Sequence, residues 1–429
     1  MSQYIIRGGK KLHGNVKISG NKNAALPCIA AAILSDEPVI LRNVPHIEDV
    51  FVLTEILRSL GGRVHSEPSR GEMHIHMPTI KKHEIDRNLS EKIRASVLLA
   101  GPMLARSGKI ILPPPGGDII GRRRLDSHFQ ALRGLGADVT IDENNEHFIF
   151  QTDELHGEDI FLDEASVTAT ENAIMAATLA EGSTILRNAA SEPHVQDLCA
   201  MINSMGGDIS GIGSNILTIR GVKKLHGTEF TIGSDYMEIG SYIGLAAVTG
   251  SALRINNIEP RHLRMISMGF AKLGIGWETD HSSMYVPDTQ RMKVQPDSGG
   301  AVSKIDDAPW PGFPPDLLSI ILTVATQVSG TILIHEKMYE SRMFFVDKLI
   351  HMGAHIVLCD PHRAVVSGPS TLQGTRLVSP DVRAGMALVI AALAARGESR
   401  IQNIYQIERG YENPAEKLRN IGADIQKTD

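Results

Sequence analysis

Aromatic side chains make up only 4% of the 429 residues, too few for a row of stacking platforms along a nucleic-acid strand. A formal net charge of −6 also argues against a general nucleic-acid binder. Cysteine is almost absent. Cys28, Cys199 and Cys359 lie far apart with no CxxC pair, which excludes a disulfide framework and a zinc knuckle and fits a reducing compartment. No run of about 18 apolar residues exists to span a membrane. The first residues lack an apolar core, so no signal peptide is expected and the cytoplasm is the default location. Nucleotide-loop motifs are missing too. Gly8-Gly9-Lys10 lacks the spacing of a phosphate loop, and Gly211-Ile212-Gly213 opens no βαβ unit. His74 and His76 alternate on one strand face without a third ligand spacing and are read as two exposed histidines. No metal and no organic cofactor is expected.

What is present is a repeat. Leu60-Gly61-Gly62 returns as Leu135-Gly136-Ala137, Met205-Gly206-Gly207, Leu273-Gly274-Ile275, Met352-Gly353-Ala354 and Ile421-Gly422-Ala423, about 70–80 residues apart. Each glycine follows an amphipathic helix, where a left-handed residue satisfies the last carbonyls. Ahead of the helices recur strands such as 183–188 and 331–335. Long Ala/Leu helices, 170–180 and 384–395, are apolar almost all round, which implies burial. The spacing predicts six similar units in an α/β (α+β) fold, with three units in each of two domains, helices inside and sheets outside. The boundary is expected near Gly233-Ser234-Asp235, and Tyr4-Ile5-Ile6 is a strand able to cross into the second domain.

Several stretches offer chemistry. Residues 113–128 begin with three prolines and a glycine pair and continue with Arg122, Arg123 and Arg124 between Asp118 and Asp126. They read either as a solvated surface loop or as a long functional loop between packed elements. Ser19-Gly20-Asn21-Lys22-Asn23 is a turn feeding a helix. Its amides and Lys22 suit an anion, though a capped surface helix with a solvated lysine explains it about as well. Arg94 opens an apolar segment and pairs either with an anion or with Glu91. Asp316 follows Pro314-Pro315 at or near a helix N-cap, as a cap or as a held carboxylate suited to work as a base. Asp381-Val382-Arg383 starts another helix. Lys22, Arg123 and Arg409 are cations from distant, glycine-flanked segments, the pattern of a phosphate-bearing ligand.

Taken together, Ser-Gly-Asn-Lys-Asn-Ala, Ile-Arg-Ala-Ser, the Pro-Gly-Gly loop, Thr-Leu-Ala-Glu-Gly, Phe-Pro-x-Asp, Asp-x-Arg-Ala and Ile-x-Arg-Gly-Tyr-Glu run nearly end to end. This chain resembles the enolpyruvyl transferases, and within them the branch acting on UDP-N-acetylglucosamine. The resemblance implies two inside-out α/β domains, 22–232 and 1–21 with 233–429, closing over a cleft with the loop around Asp118 as a lid. It implies transfer of the enolpyruvyl group of phosphoenolpyruvate to the 3′-hydroxyl of UDP-N-acetylglucosamine, with these small molecules as the only partners. Lys22, Asn23, Arg123 and Arg409 would hold phosphoenolpyruvate. Asp316 would take the hydroxyl proton and Asp118 would protonate the methylene carbon. Arg94, Arg123, Arg124, Leu125, Asp126, Ser127, Ser166, Val167, Asp316 and Met338 would contact the nucleotide sugar. Arg342, Asp381 and Arg383 would support closure.

The sequence departs from that family's pattern in four places. Asp118 stands where cysteine is usual, so the general acid would be a carboxyl that must hold its proton near neutral pH. Arg124 replaces a proline, Glu164 a lysine and Tyr236 an arginine, all where the nucleotide would lie. Three readings follow. They are the cell-wall enzyme, a divergent transferase with another acceptor, and a non-catalytic regulator. Retention of Lys22, Asp316, Asp381, Arg383 and Arg409 argues against the last.

Overall fold

Each of the six glycine phrases ends a helix. In the computed structural model, which describes residues 2–118, 120–142, 144 and 146–428, Gly61, Gly136, Gly206, Gly274, Gly353 and Gly422 all have φ between 72° and 111°. At the first, Gly61 N donates to Arg58 O and Gly62 N to Leu57 O, so the last carbonyls of the helix Glu48–Ser59 are satisfied as the chain turns into the strand Arg63–Glu67. A second repeated device was not read in full from the sequence. Asn43, Asn188, Asn257 and Asn403 all take positive φ just after a strand, a conformation asparagine tolerates better than other side-chain residues.

The unit is seen clearly between residues 159 and 220. Strand Asp159–Phe161 leads through the helix Val167–Ala177 to strand Ser183–Arg187, which pairs with it in parallel. The helix Pro193–Ser204 then leads to the hairpin of Asp208–Ser210 and Ile216–Arg220, the latter antiparallel to Ser183–Arg187. Among the described residues there are six such sheets, five of four strands and one of three.

The chain divides into two compact units. One comprises Gly20–Asp118 and Arg124–Gly233, and the other Met1–Ser19, Ile119–Arg123 and Ser234–Asp429. The first unit closes on itself through Glu229–Thr231, which pairs in parallel with Val39–Arg42. The second recruits the start of the chain. Gln3–Arg7 lies between Glu398–Gln402 and Asp424–Thr428, and His13–Lys17 pairs in parallel with Ala252–Asn256.

Each unit has its own apolar core, and long helices lie buried in both. In the helix Val382–Ala394 every residue from Val382 to Leu393 is buried, which accounts for its lack of a polar face. Two of these helices begin earlier than the apolar pattern indicates, at Val167 instead of 170 and Val382 instead of 384. The reason is capping. Ser166 Oγ accepts from Ala169 N, and Asp381 Oδ1 accepts from the amides of Arg383 and Ala384.

Candidate functional site

The Ser-Gly-Asn-Lys-Asn turn does form a helix start. Asn21 Oδ1 accepts from the amides of Asn23 and Ala24 at the head of the helix Lys22–Ala31. Lys22 therefore sits at the positive end of that helix, a poor place for a cation on its own. An anion meets it there. Lys22 Nζ lies 2.7 Å from Asp49 Oδ2, a carboxylate in the first turn of Glu48–Ser59. Sequence reading missed Asp49, because 27 positions of chain hide the pairing.

In the same unit Arg94 begins a 3-10 segment, Arg94–Leu99, that runs into the helix Ala100–Ser107. The ion pair considered with Glu91 is corrected. Glu91 faces Arg87, and Arg94 Nη2 donates to Arg124 O. Arg124 is exposed and paired with Asp126 at 2.9 Å. Leu125 and Ser127 are buried, and Ser127 Oγ donates to Asp163 Oδ1. Behind them His128, fully enclosed, shares hydrogen bonds with Thr168 Oγ1 and Asn172 Nδ2. Burial, reinforced by Arg94, drives this imidazole down to about 3, so it is neutral. Ser166 and Val167 are half-buried at the head of Val167–Ala177, and Glu164 is exposed nearby.

On either side of Ile119 the described residues of the loop 113–125 are held by hydrogen bonds, not simply solvated. Gly116 N donates to Ser90 O, and a Cβ at Gly116 would strike the carbonyl of Glu91. Gly121 has φ 137°, and a Cβ there would collide with the Glu340 carboxylate. That carboxylate accepts from Arg122 N, while Ser341 N donates to Ile120 O. Asp118 and Arg123 are half-buried, and the charge of Arg123 reaches Tyr339.

In the other unit the candidate carboxylate is clamped. Asp316 Oδ1 accepts from Arg342 Nη2 at 2.6 Å and Oδ2 from Arg383 Nε at 3.0 Å. The capping role is therefore replaced. Asp316 lies in the short 3-10 turn Pro315–Leu317, and the turn has no side-chain cap. Burial alone would raise this carboxyl, but Arg342 and Arg383 outweigh it and hold it well below the usual carboxylate range. Both guanidiniums are themselves packed on rings, Arg342 over Tyr339 at 4.9 Å and Arg383 over Tyr411 at 5.1 Å. Tyr411 shares a hydrogen bond with Ser241. Asp381 caps the helix that carries Arg383 and adds to the field on Arg342. Arg409 is buried, with Nη1 donating to Gln406 Oε1. Met338 is half-buried, its amide on Glu336 Oε1.

Two sequence expectations need correction. The family resemblance implies a nucleotide contact at Tyr236. It is buried at the start of the helix Tyr236–Thr249 and packs edge-on against His262 and Trp310, so its ring belongs to an aromatic cluster. His74 does have carboxylate neighbours that spacing did not reveal. Glu67, Glu72 and His74 bring ligand atoms within 4.8 Å of one another, but Glu72 also bears the guanidinium of Arg42, which makes the group an ion-pair network.

Lys22, the glycine loop, Asp316 and Arg383 fall in the motifs that carried the family resemblance. Residues 6–418 match the family described as EPSP synthase (3-phosphoshikimate 1-carboxyvinyltransferase). A Treponema denticola protein named UDP-N-acetylglucosamine 1-carboxyvinyltransferase is 64% identical over 99% of both chains. A protein of the same name from Treponema pallidum is 58% identical over the full length of both. The crystal structure of the enolpyruvyl transferase NikO from Streptomyces tendae superposes with a TM-score of 0.89 at 22% identity, covering 100% of this chain and 99% of that one. It attests the mixed α/β fold. No helix among the described residues is long and apolar enough to cross a membrane. On the extent of these matches, the chain belongs to the EPSP synthase family.

Proposed function

We propose that this protein transfers the enolpyruvyl group of phosphoenolpyruvate to the 3′-hydroxyl of UDP-N-acetylglucosamine, releasing phosphate. The observation that carries the reading is the doubly clamped carboxylate Asp316, within a chain 64% identical along its length to a protein named for this reaction. The finer architecture, two inside-out domains of three units each, belongs to the same proposal.

The residues are assigned roles as follows. Lys22, Arg123 and Arg409 bind the phosphate and carboxylate of phosphoenolpyruvate, and Asn23 orients the acceptor. In the addition step Asp118 gives a proton to the methylene carbon. The acceptor oxygen bonds to the adjacent carbon, and its proton passes to Asp316. In the elimination step the methyl carbon returns a proton to the Asp118 carboxylate, its electron pair forms the carbon–carbon double bond as the carbon–oxygen bond to phosphate breaks, and phosphate leaves with the proton held by Asp316. A carboxylate as weakly basic as Asp316 suits this order. A hydroxyl becomes strongly acidic once its oxygen bonds to an electron-poor carbon, so a weak base suffices if the proton leaves late. Arg94, Arg124, Leu125, Asp126, Ser127, Ser166, Val167 and Met338 are assigned to the nucleotide sugar, and Arg342, Asp381 and Arg383 to holding Asp316.

The direct test is phosphate release from phosphoenolpyruvate. Release is expected only when UDP-N-acetylglucosamine is added. Release with a different sugar nucleotide alone would overturn the acceptor, and binding of phosphoenolpyruvate without release under any acceptor would overturn the enzyme.

Position 118 gives a second prediction. A carboxylate is a much poorer nucleophile than a thiolate. The wild-type protein should therefore gain no mass from fosfomycin, an alkylating epoxide, whereas Asp118→Cys should gain one adduct at residue 118. An adduct on Asp118 itself, seen by peptide mass spectrometry, would defeat this account.

A further inference from the structure

We infer that Asp307 and Glu336 form a proton-sharing carboxyl pair that positions the turn 336–342, and through Arg342 the carboxylate of Asp316. The inference rests on the proposed transfer reaction, since Asp316 is the group it serves.

The pair follows from strand register. Ser303–Asp306 and Gly330–His335 run in parallel with Ile305 opposite Ile334 and Asp306 opposite His335. Asp307 and Glu336 are the next residues, and alternation puts them on the same face as Ile305 and Ile334. That face is the core, and both acids have 0% exposure. Each uses one oxygen to hold the same turn. Asp307 Oδ1 accepts from Lys337 N at 2.5 Å, and Glu336 Oε1 accepts from Met338 N at 3.2 Å and Tyr339 N at 3.1 Å. The other two oxygens, Asp307 Oδ2 and Glu336 Oε2, are buried with no hydrogen-bond partner. Two carboxylates cannot share such a place while both are charged, and one proton between them resolves the conflict.

Burial first, and then the contact with Asp307, push Glu336 up to about 9, with Arg342 opposing. The other groups facing it are Tyr339, whose ring lies under Arg342, and His362, whose Nδ1 shares a 2.7 Å hydrogen bond with the Glu336 carbonyl. Lys337 turns its ammonium to Asp306 instead. The turn so held carries Met338, Glu340 on the Arg122 amide, and Arg342 on Asp316. Arg342 Nε has no acceptor. While Glu336 is neutral, Arg342 is committed to Asp316. Once ionised, Glu336 competes for it and the clamp loosens.

The experiment compares wild type, Glu336→Gln and Glu336→Ala as full-length proteins. With phosphoenolpyruvate and UDP-N-acetylglucosamine, E336A is expected to lose about 10–100-fold in kcat with little change in KM, and E336Q to recover most of that loss. Wild-type turnover should fall as pH rises through about 9, and this limb should be absent or displaced in E336Q. Superimposable pH profiles for wild type and E336Q, or equal losses in E336Q and E336A, would overturn the proposal. A second readout does not depend on turnover. A group whose folded value is raised stabilises fully below its unfolded value, and that contribution is lost as pH rises toward the folded one. E336Q should therefore be more stable to denaturant than wild type near pH 8, with the gap closing toward about pH 5. Equal pH slopes would refute the shared proton even if the acceptor proved to be another sugar, so failure of the pair and failure of the reaction are told apart.

Discussion

Asp316→Asn should lower kcat for phosphate release by about 10³-fold, the range of a lost general base, while binding of phosphoenolpyruvate changes little. The same substitution should cost stability. Asp316 is 22% exposed, but its two partners Arg342 and Arg383 are only 8% and 6% exposed at the side chain, and an amide removes the carboxylate that both guanidiniums bond to. Removing one member of a pair this enclosed costs about 3 kcal/mol or more. The sign of its pH dependence is fixed. The folded value of Asp316 lies below its unfolded one, so its contribution is present above the ordinary carboxylate range and is lost only as pH falls below it. The stability gap between D316N and wild type should therefore persist at neutral pH and narrow in strong acid. D316N that keeps wild-type turnover would remove Asp316 from the chemistry. D316N that loses turnover without losing stability would mean the clamp is weaker than its geometry implies.

The contrast between Asp316 and the helix-ending glycines shows what a sequence exposes. A glycine cap is local. Gly61 bonds back to a carbonyl three residues earlier, so six such caps could be counted from the chain alone. The helix starts were almost as legible, because Ser166 and Asp381 bond two or three residues ahead. Asp316 is different. Its partners lie 26 and 67 residues away, on the 3-10 turn Arg342–Phe345 and the helix Val382–Ala394 of the same unit, and no short-range rule joins them. The acid pair at Asp307 and Glu336 is hidden for the same reason, since it exists only once two parallel strands are in register. Tyr236 shows the opposite failure. Its identity stood out as a departure, but whether it faced a ligand or the core depended on burial, which neither its neighbours nor the motif encode. Family motifs supplied most of the candidate residues, and the structure supplied the partners that hold them.

Lys22→Met should lower kcat/KM for phosphoenolpyruvate by about 10³-fold, in line with loss of one preorganised charge contact to a developing or multiply charged anion. The lysine stands at the first position of its helix, where the backbone amides already favour an anion. Its own charge is tolerated because Asp49 sits 2.7 Å away, with the two side chains 12% and 5% exposed. On the proposed reading Lys22 is thus held ready for the anion by an internal carboxylate. K22M leaves that carboxylate enclosed without its ammonium partner, though the first turn of Glu48–Ser59 still favours negative charge at Asp49. A stability loss of about 2–3 kcal/mol is expected. The double variant K22M/D49N separates the two roles. Replacing the carboxylate by an amide removes the charge that has lost its ammonium, so most of the stability should return, while turnover should stay as low as in K22M. Denaturant unfolding and phosphate-release kinetics on the three proteins read this directly. Recovery of turnover together with stability would show that Lys22 acts by supporting the fold, and a single variant K22M within about tenfold of wild-type kcat/KM would remove the lysine from substrate binding altogether.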